Sequence, residues 1–249
     1  MKYGVLGTGN VAQEIATKLI QLGHEVKMGS RDANNEKAVN WAKKNGGKAS
    51  VGTFSDAAAF GERVFLCVKG IYSIEALTSA GPDNLKGKIL IDLSNPYIYE
   101  NGHIRLDPKY SGTTCLGEEI QKFLPNTKCV KTLNYLVYYL MTNPTKLAEP
   151  ITGFYCGNDK SAKETVCQIL HDFGWVDTQD LGDISMSRYT EMMGAIWVPL
   201  YGQLGTMDWG LKLVKEVKKN KNNFNFVRYL KWNIVIIFNF IELFYFILI

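Results

Sequence analysis

The chain has 249 residues, 46% of them hydrophobic, and a formal net charge of +4, which is enough for one large domain with a buried core and too apolar for a disordered chain. From Leu211 onward seven Lys/Arg stand against two Glu, a surplus of five that leaves residues 1–210 one charge negative, so the body carries no nucleic-acid footprint. Five widely spread cysteines (Cys67, Cys115, Cys129, Cys156, Cys167) form no C-x-x-C pair, which suggests neither a zinc site nor a disulfide framework and fits a reducing compartment.

Met1 runs straight into "KYGVLGTG" without the pattern of a secretory signal, and the expected location is the cytoplasm. Residues 2–6 read as a first strand. From Val11 to Leu22 the apolar residues Val11, Ile15, Leu19 and Leu22 recur at helical spacing. "GHEVKM" supplies a turn glycine and a second strand, and 36–44 a second helix ending at Gly46 and Gly47. Residues 48–54 predict a third strand, 55–61 a short helix capped by Ser55, and "RVFLCV" a fourth, fully buried strand. A helix around 73–79, a fifth strand in "KILIDLSNP" and a sixth in "CVKTLNYL" follow. "GFYCGND", "KSAKETVCQILHDFGW" and "VDTQDLGDI" add strand, amphipathic helix and strand. Residues 186–206 predict a long apolar helix kinked at Pro199. This alternation implies an α/β fold, a Rossmann-type doubly wound, mostly parallel sheet with additional C-terminal α/β elements and helices.

The expected organisation is one oxidoreductase domain over 1–214 and a basic, then apolar, extension over 215–249. The last 17 residues, 233–249, would reach only about 25 Å as a helix against a hydrocarbon core of about 30 Å. They are read as an addition outside the working fold, with membrane attachment as the alternative.

"GTGNVA" (7–12) lies between a strand and a helix, the context in which a G-x-G-x-x-G/A loop signifies dinucleotide binding. Gly7 permits the tight turn, Gly9 lets backbone approach a pyrophosphate, and Ala12 stands where helix and strand pack closely. The helix beginning near Val11 aims its N–H groups and positive dipole end at the phosphates. At the end of the second strand, "MGSRD" (28–32) sets Arg31 against Asp32. A guanidinium forks onto a 2′-phosphate and a serine hydroxyl beside it can assist. Ser30 and Arg31 lie nearer the strand end, so NADP is expected over NAD, with Asp32 left to cap the next helix or face solvent. His24, His103 and His171 have no partners at metal spacing and read as surface residues.

With these residues placed, the chain resembles the NADP-dependent oxidoreductases typified by the deazaflavin (coenzyme F-420) dependent NADP reductases. The resemblance rests on "GVLGTGNVAQEIATKLIQLGHEVKMGSRD", "ILIDLSNP", "LPNTKCVKTLNYL", "YCGNDKSAKETVCQIL" and "VDTQDLGDISMSRYTEMM". The same module looks like the reductase domain of six-transmembrane metalloreductases and, more distantly, the N-terminal domain of pyrroline-5-carboxylate reductase. The resemblance implies that Thr8, Gly9, Asn10 and Val11 contact the pyrophosphate and that Ser30 and Arg31 hold the 2′-phosphate. It implies further that Val68, Lys69, Asn95 and Pro96 flank the nicotinamide side, and that residues 132–135, with Thr132 and Asn134, lie at the second-substrate cleft.

Two departures stand out: Lys69-Gly70 where relatives often have a proline after the fourth strand, and a bulkier "NYLVYYL". The expected function is hydride transfer between NADPH and a flavin, a deazaflavin-like ring or a small carbonyl or imine. The alternative is a non-catalytic NADP(H)-binding or redox-sensing protein. The catalytic residue, if there is a dedicated one, is not identified. The expected partner is a small-molecule redox substrate, with no nucleic acid and no metal, and a homodimer is left open.

Overall fold

In the computed structural model, which describes residues 1–100 and 103–216, the chain alternates strand and helix from its start. β1 (Lys2–Leu6), α1 (Asn10–Gln21), β2 (Glu25–Ser30), α2 (Glu36–Asn45) and β3 (Ala49–Thr53) form the first half. α3 (Phe54–Phe60), β4 (Arg63–Leu66), α4 (Ser73–Ala80), α5 (Pro82–Leu85) and β5 (Ile89–Asp92) form the second. A hairpin of β6 (Tyr97–Glu100) and β7 (His103–Leu106) precedes α6 (Leu116–Phe123), β8 (Lys128–Thr132) and α7 (Tyr138–Met141). β9 (Thr152–Gly157), α8 (Lys160–Asp172), β10 (Asp177–Asp180), α9 (Ser187–Ala195) and α10 (Trp197–Leu204) follow.

The main sheet has eight strands in the order β10-β9-β8-β5-β4-β1-β2-β3. All its neighbours run parallel except β8 and β9, which are antiparallel. The strand order reverses between β1 and β4, the position at which open α/β sheets open a ligand crevice.

Successive side chains leave a strand on opposite faces, and the two cores follow that period. Tyr3, Val5, Phe65, Ile91 and Val130 pack with α1, α2 and α8 on one face. Leu6, Val64, Leu66, Leu90 and Cys129 pack with α3, α4 and α6 on the other. α3 lies so close to the sheet that a Cβ on Gly4 would stand 2.3 Å from the carbonyl oxygen of Ala57.

Several predicted boundaries shift for local reasons. Thr53, not Ser55, caps α3: its hydroxyl accepts from Asp56 N–H while the Asp56 carboxylate accepts from Thr53 N–H at 2.8 Å. This reciprocal capping box satisfies two end donors. Thr53→Ala is therefore expected to lower stability by about 1 kcal/mol, read in urea unfolding, because α3 also carries Phe54 against the ligand cleft described below.

The long helix expected over 186–206 breaks at Ile196 into α9 and α10. Pro199 lacks an N–H for the carbonyl four residues back, that of Ala195, so the break falls one turn before the proline. The β6–β7 hairpin and α6 were not anticipated.

Met1–Leu213 form one compact unit. The apolar stretch 233–249 lies outside the described residues, and no helix among the described residues is long and apolar enough to cross a membrane.

Candidate dinucleotide site and the strand ends beside it

The turn after β1 is built on glycine for steric reasons. Gly7 has φ of +126°, donates its N–H to Gly29 O at 2.9 Å, and would place a Cβ only 2.5 Å from Cys67 O. Gly9 precedes α1, and no side chain caps that helix. A Cβ built on Gly9 meets nothing within 4 Å, so the loop presents open backbone beside an uncapped, positive helix end. Gln13 Nε2 donates to Thr8 O at 3.0 Å and steadies the loop from α1. Ala12 is fully buried where α1 meets the sheet.

At the end of β2 the two charged neighbours have different fates. The Asp32 carboxylate accepts the N–H of Asn34 at 2.9 Å, closing a local turn. Asn35, rather than Asp32, caps α2, its Oδ1 accepting from Ala38 N–H at 3.3 Å. Arg31 is exposed and has no hydrogen-bond or ion-pair partner among the described residues. Ser30 is nearly buried, and its hydroxyl donates to the carbonyl of Asp32, so it shapes the turn that carries Arg31.

A cleft of about 600 Å³ joins these features, within the range of small-molecule sites. Gly7, Thr8, Gly9, Ser30, Arg31, Val68 and Lys69 all line it. Asn10 and Val11 form the first turn of α1 behind it. Asn95, Pro96, Thr132 and Asn134 do not line it. Residues not anticipated, among them Asn35, Lys37, Cys67 and Tyr72, do. Lys37 left a signal: a lysine in the first turn of a helix opposes the macrodipole, and anion binding is one reason to keep it there. Cys67 is half-buried on the wall of the cleft.

Beyond the cleft, the ends of β4, β5 and β8 are tied together. Gly70 N–H donates to Asn95 O at 3.0 Å, and a Cβ on Gly70 would lie 2.1 Å from that oxygen. Glycine at position 70 thus has a packing cause. Asn95 Nδ2 donates to Asn134 O, and Asn134 Nδ2 donates to Asn95 Oδ1 at 2.8 Å.

Thr132 is fully buried with its hydroxyl on Phe154 O at 2.8 Å, joining β8 to β9. Of "NYLVYYL", Tyr135, Leu136, Val137 and Leu140 are core residues, with the Tyr135 hydroxyl set between Thr152 O and Phe154 N–H, while Tyr138 and Tyr139 are half-buried and the Tyr139 hydroxyl donates to Asp208.

Under these turns lies a buried ionic cluster. Lys131 Nζ stands 2.8 Å from Asp92 Oδ2 and 3.2 Å from Glu191 Oε1. Asp92 also accepts from Ser94, and Glu191 accepts the N–H groups of Leu116 and Gly117 at 3.1 Å each, capping α6. Burial raises the Glu191 carboxyl above its ordinary value, and the Lys131 ammonium offsets part of that rise.

An open glycine loop at the switch point of a parallel sheet, with a free guanidinium at the neighbouring strand end, defines the class: a Rossmann-fold dinucleotide-binding protein. Residues 2–96 match the model of the NADP oxidoreductase, coenzyme F420-dependent, family. The solved structure of a candidate F420-dependent NADP reductase from Arthrobacter sp. FB24 is 40% identical, with a TM-score of 0.82 over 86% of this chain and all of that one. The F420-dependent NADP reductase of Methanocaldococcus jannaschii is 24% identical over 86% of this chain and 98% of its own length. The rat metalloreductase STEAP3 is 30% identical over 76% of this chain, and the match spans 36% of that protein's length. The chain belongs to the coenzyme F420-dependent NADP oxidoreductase family and is an NADP-dependent oxidoreductase.

Proposed function

We propose that the protein transfers a hydride between NADPH and a flavin, a deazaflavin-like ring or a small carbonyl or imine, in the cytoplasm, with residues 1–214 as the working unit. The observation that carries this reading is the single cleft that joins the open backbone at Gly9 to the unpartnered cation Arg31. Thr8, Gly9, Asn10 and Val11 hold the pyrophosphate through backbone N–H groups and the α1 end. Arg31 binds the 2′-phosphate, Ser30 fixes the turn that carries it, and Lys37 adds a second cation from α2. Val68 and Lys69, with Asn95 and Pro96 behind them, flank the nicotinamide side, and the turn at Thr132–Asn134 borders the second substrate.

When bound, the reduced nicotinamide supplies the hydride. The protein's share is to bind, orient and screen the reacting rings, which suffices where no proton must be moved by a dedicated group.

The test is anaerobic oxidation of NADPH with a deazaflavin, a flavin and small cyclic imines, run on the full chain and on a chain ending at Val214. Acceptor-dependent oxidation by both forms is the expected result. Tight NADPH binding with no oxidation by any acceptor would leave a sensor instead, and activity in the full chain alone would show that 215–249 belongs to the working unit.

A further inference from the structure

Two local costs fall on one turn at the C-terminal end of β8. Leu133 holds φ at +59°, the one non-glycine residue with positive φ among the described residues, and a left-handed backbone costs such a residue about 1–2 kcal/mol. It is fully buried, so an exposed tight turn does not account for it. The next residue, Asn134, is 4% exposed, and its side-chain Oδ1 is buried with no hydrogen-bond donor among the described residues. Leaving a buried acceptor unpaired costs about 1–3 kcal/mol.

The neighbours dictate which way this amide points. The backbone carbonyl of Asn134 accepts from Asn95 Nδ2, which turns Asn95 Oδ1 toward Asn134, and that oxygen accepts from Asn134 Nδ2. Rotating the Asn134 amide would set two carbonyl oxygens against each other, so a flip does not relieve the unpaired Oδ1. The pair is held from both sides. Gly70 binds the Asn95 carbonyl one residue away from cleft-lining Lys69, and a Cβ on Gly194 of α9 would come within 3.1 Å of the Asn134 carbonyl. Backbone strain next to an unmet acceptor, in a turn the surroundings over-determine, is the pattern of a site shaped for a ligand.

We propose that Asn134 Oδ1 accepts a hydrogen bond from an N–H donor of the bound redox pair and is a specificity-determining residue. The inference rests on the proposed NADPH-dependent function. The donor has two sources of the same chemistry: the carboxamide of the nicotinamide, or a ring or iminium N–H of the second substrate. A site built to accept such a bond rejects an analogue that lacks it, because the buried oxygen is then left unpaired.

The test measures dissociation constants, without turnover, for the wild-type chain and Asn134→Leu. The first arm compares NADP with its 3-acetylpyridine analogue, in which a methyl group replaces the carboxamide nitrogen. The second compares, on NADP-loaded protein, a 5-deazaflavin with a free ring N–H and its N-methylated form. In the wild type one of these two changes is expected to cost about tenfold or more, and in Asn134→Leu that ratio is expected to fall close to one. Collapse in the first arm assigns the donor to the cofactor, and collapse in the second assigns it to the substrate.

If Asn134→Leu does not fold, Asn134→Ser, which cannot reach as far, carries the same comparison. A wild type that binds NADP but ignores both changes, or a variant that keeps the wild-type ratios, overturns the inference. A wild type that does not bind NADP removes the cofactor reading itself, and this inference with it.

Discussion

Replacing Lys131 with methionine is expected to lower the stability of the protein by about 3–5 kcal/mol, seen as a fall in thermal midpoint of roughly 10 °C. The side chain is fully buried, and its ammonium sits between the carboxylates of Asp92 and Glu191 and the carbonyl of Ser94. Methionine has nearly the same length and no charge, so little cavity forms and the loss isolates electrostatics. What remains is two carboxylates in a water-poor interior with their shared cation gone. Removing one partner of a buried pair is far more costly than never having buried it.

The pH dependence gives the prediction its sign. In the wild type, burial alone would lower the lysine's proton affinity, but Asp92 and Glu191 more than reverse that and hold its pKa above the ordinary value of 10.5. The ion pair's contribution is therefore complete at neutral pH and is lost only as the pH climbs through that raised value. In the variant, Glu191, whose carboxyl burial already raises above 4.5, loses the ammonium that held it down. A carboxyl raised in the folded state contributes stability at low pH that disappears as the pH rises through its folded pKa. The deficit of Lys131→Met should thus be smaller at pH 5 than at pH 8 in urea unfolding. A deficit below about 1 kcal/mol, or one indifferent to pH, would show that the cluster is not the ionic clamp its distances describe.

This cluster also marks where sequence reasoning stops. The doubly wound sheet was legible because each strand reads as a short apolar run and each helix as a 3.6-residue period, both local patterns. "ILID" and "CVKT" were correctly placed as strands, yet nothing local says that Asp92 and Lys131 face each other across the pairing of β5 with β8, or that Glu191 arrives from α9. The hairpin is a different case: the Asn-Gly pair between "YIYE" and "HIRL" is a local hairpin signal in the sequence. α6 was hard to see because it is only eight residues long and owes its start to Glu118 and to Glu191, which is distant in sequence. The glycine loop was legible because its steric demands are local, whereas Lys37 joins the cleft only through the turn that brings α2 back beside β2.

The second large effect concerns that turn. Arg31→Ala is expected to weaken NADPH binding about 100-fold, the scale of lost charge-assisted hydrogen bonds, while NADH affinity changes by less than about threefold. Under the proposed function the only part of the ligand that separates these two nucleotides is the 2′-phosphate, and Arg31 is the strand-end cation that no protein group neutralises among the described residues. Asp32, the residue that would favour NADH, lines the same cleft, and its Oδ1 accepts the N–H of Asn34. Lys37→Ala should have the same sign and a smaller size, because an ammonium acts as a point charge where a guanidinium forks onto two oxygens. The double variant should fall short of the sum if both cations share one phosphate. Raising the salt concentration should shrink the wild-type preference more than that of Arg31→Ala, since the variant keeps only the weaker charge pair with Lys37. Equal losses of NADPH and NADH affinity in Arg31→Ala would instead mean that the arginine supports the loop rather than the phosphate, and the basis of cofactor choice would have to be sought at Lys37 and Lys69, the other cations lining the cleft.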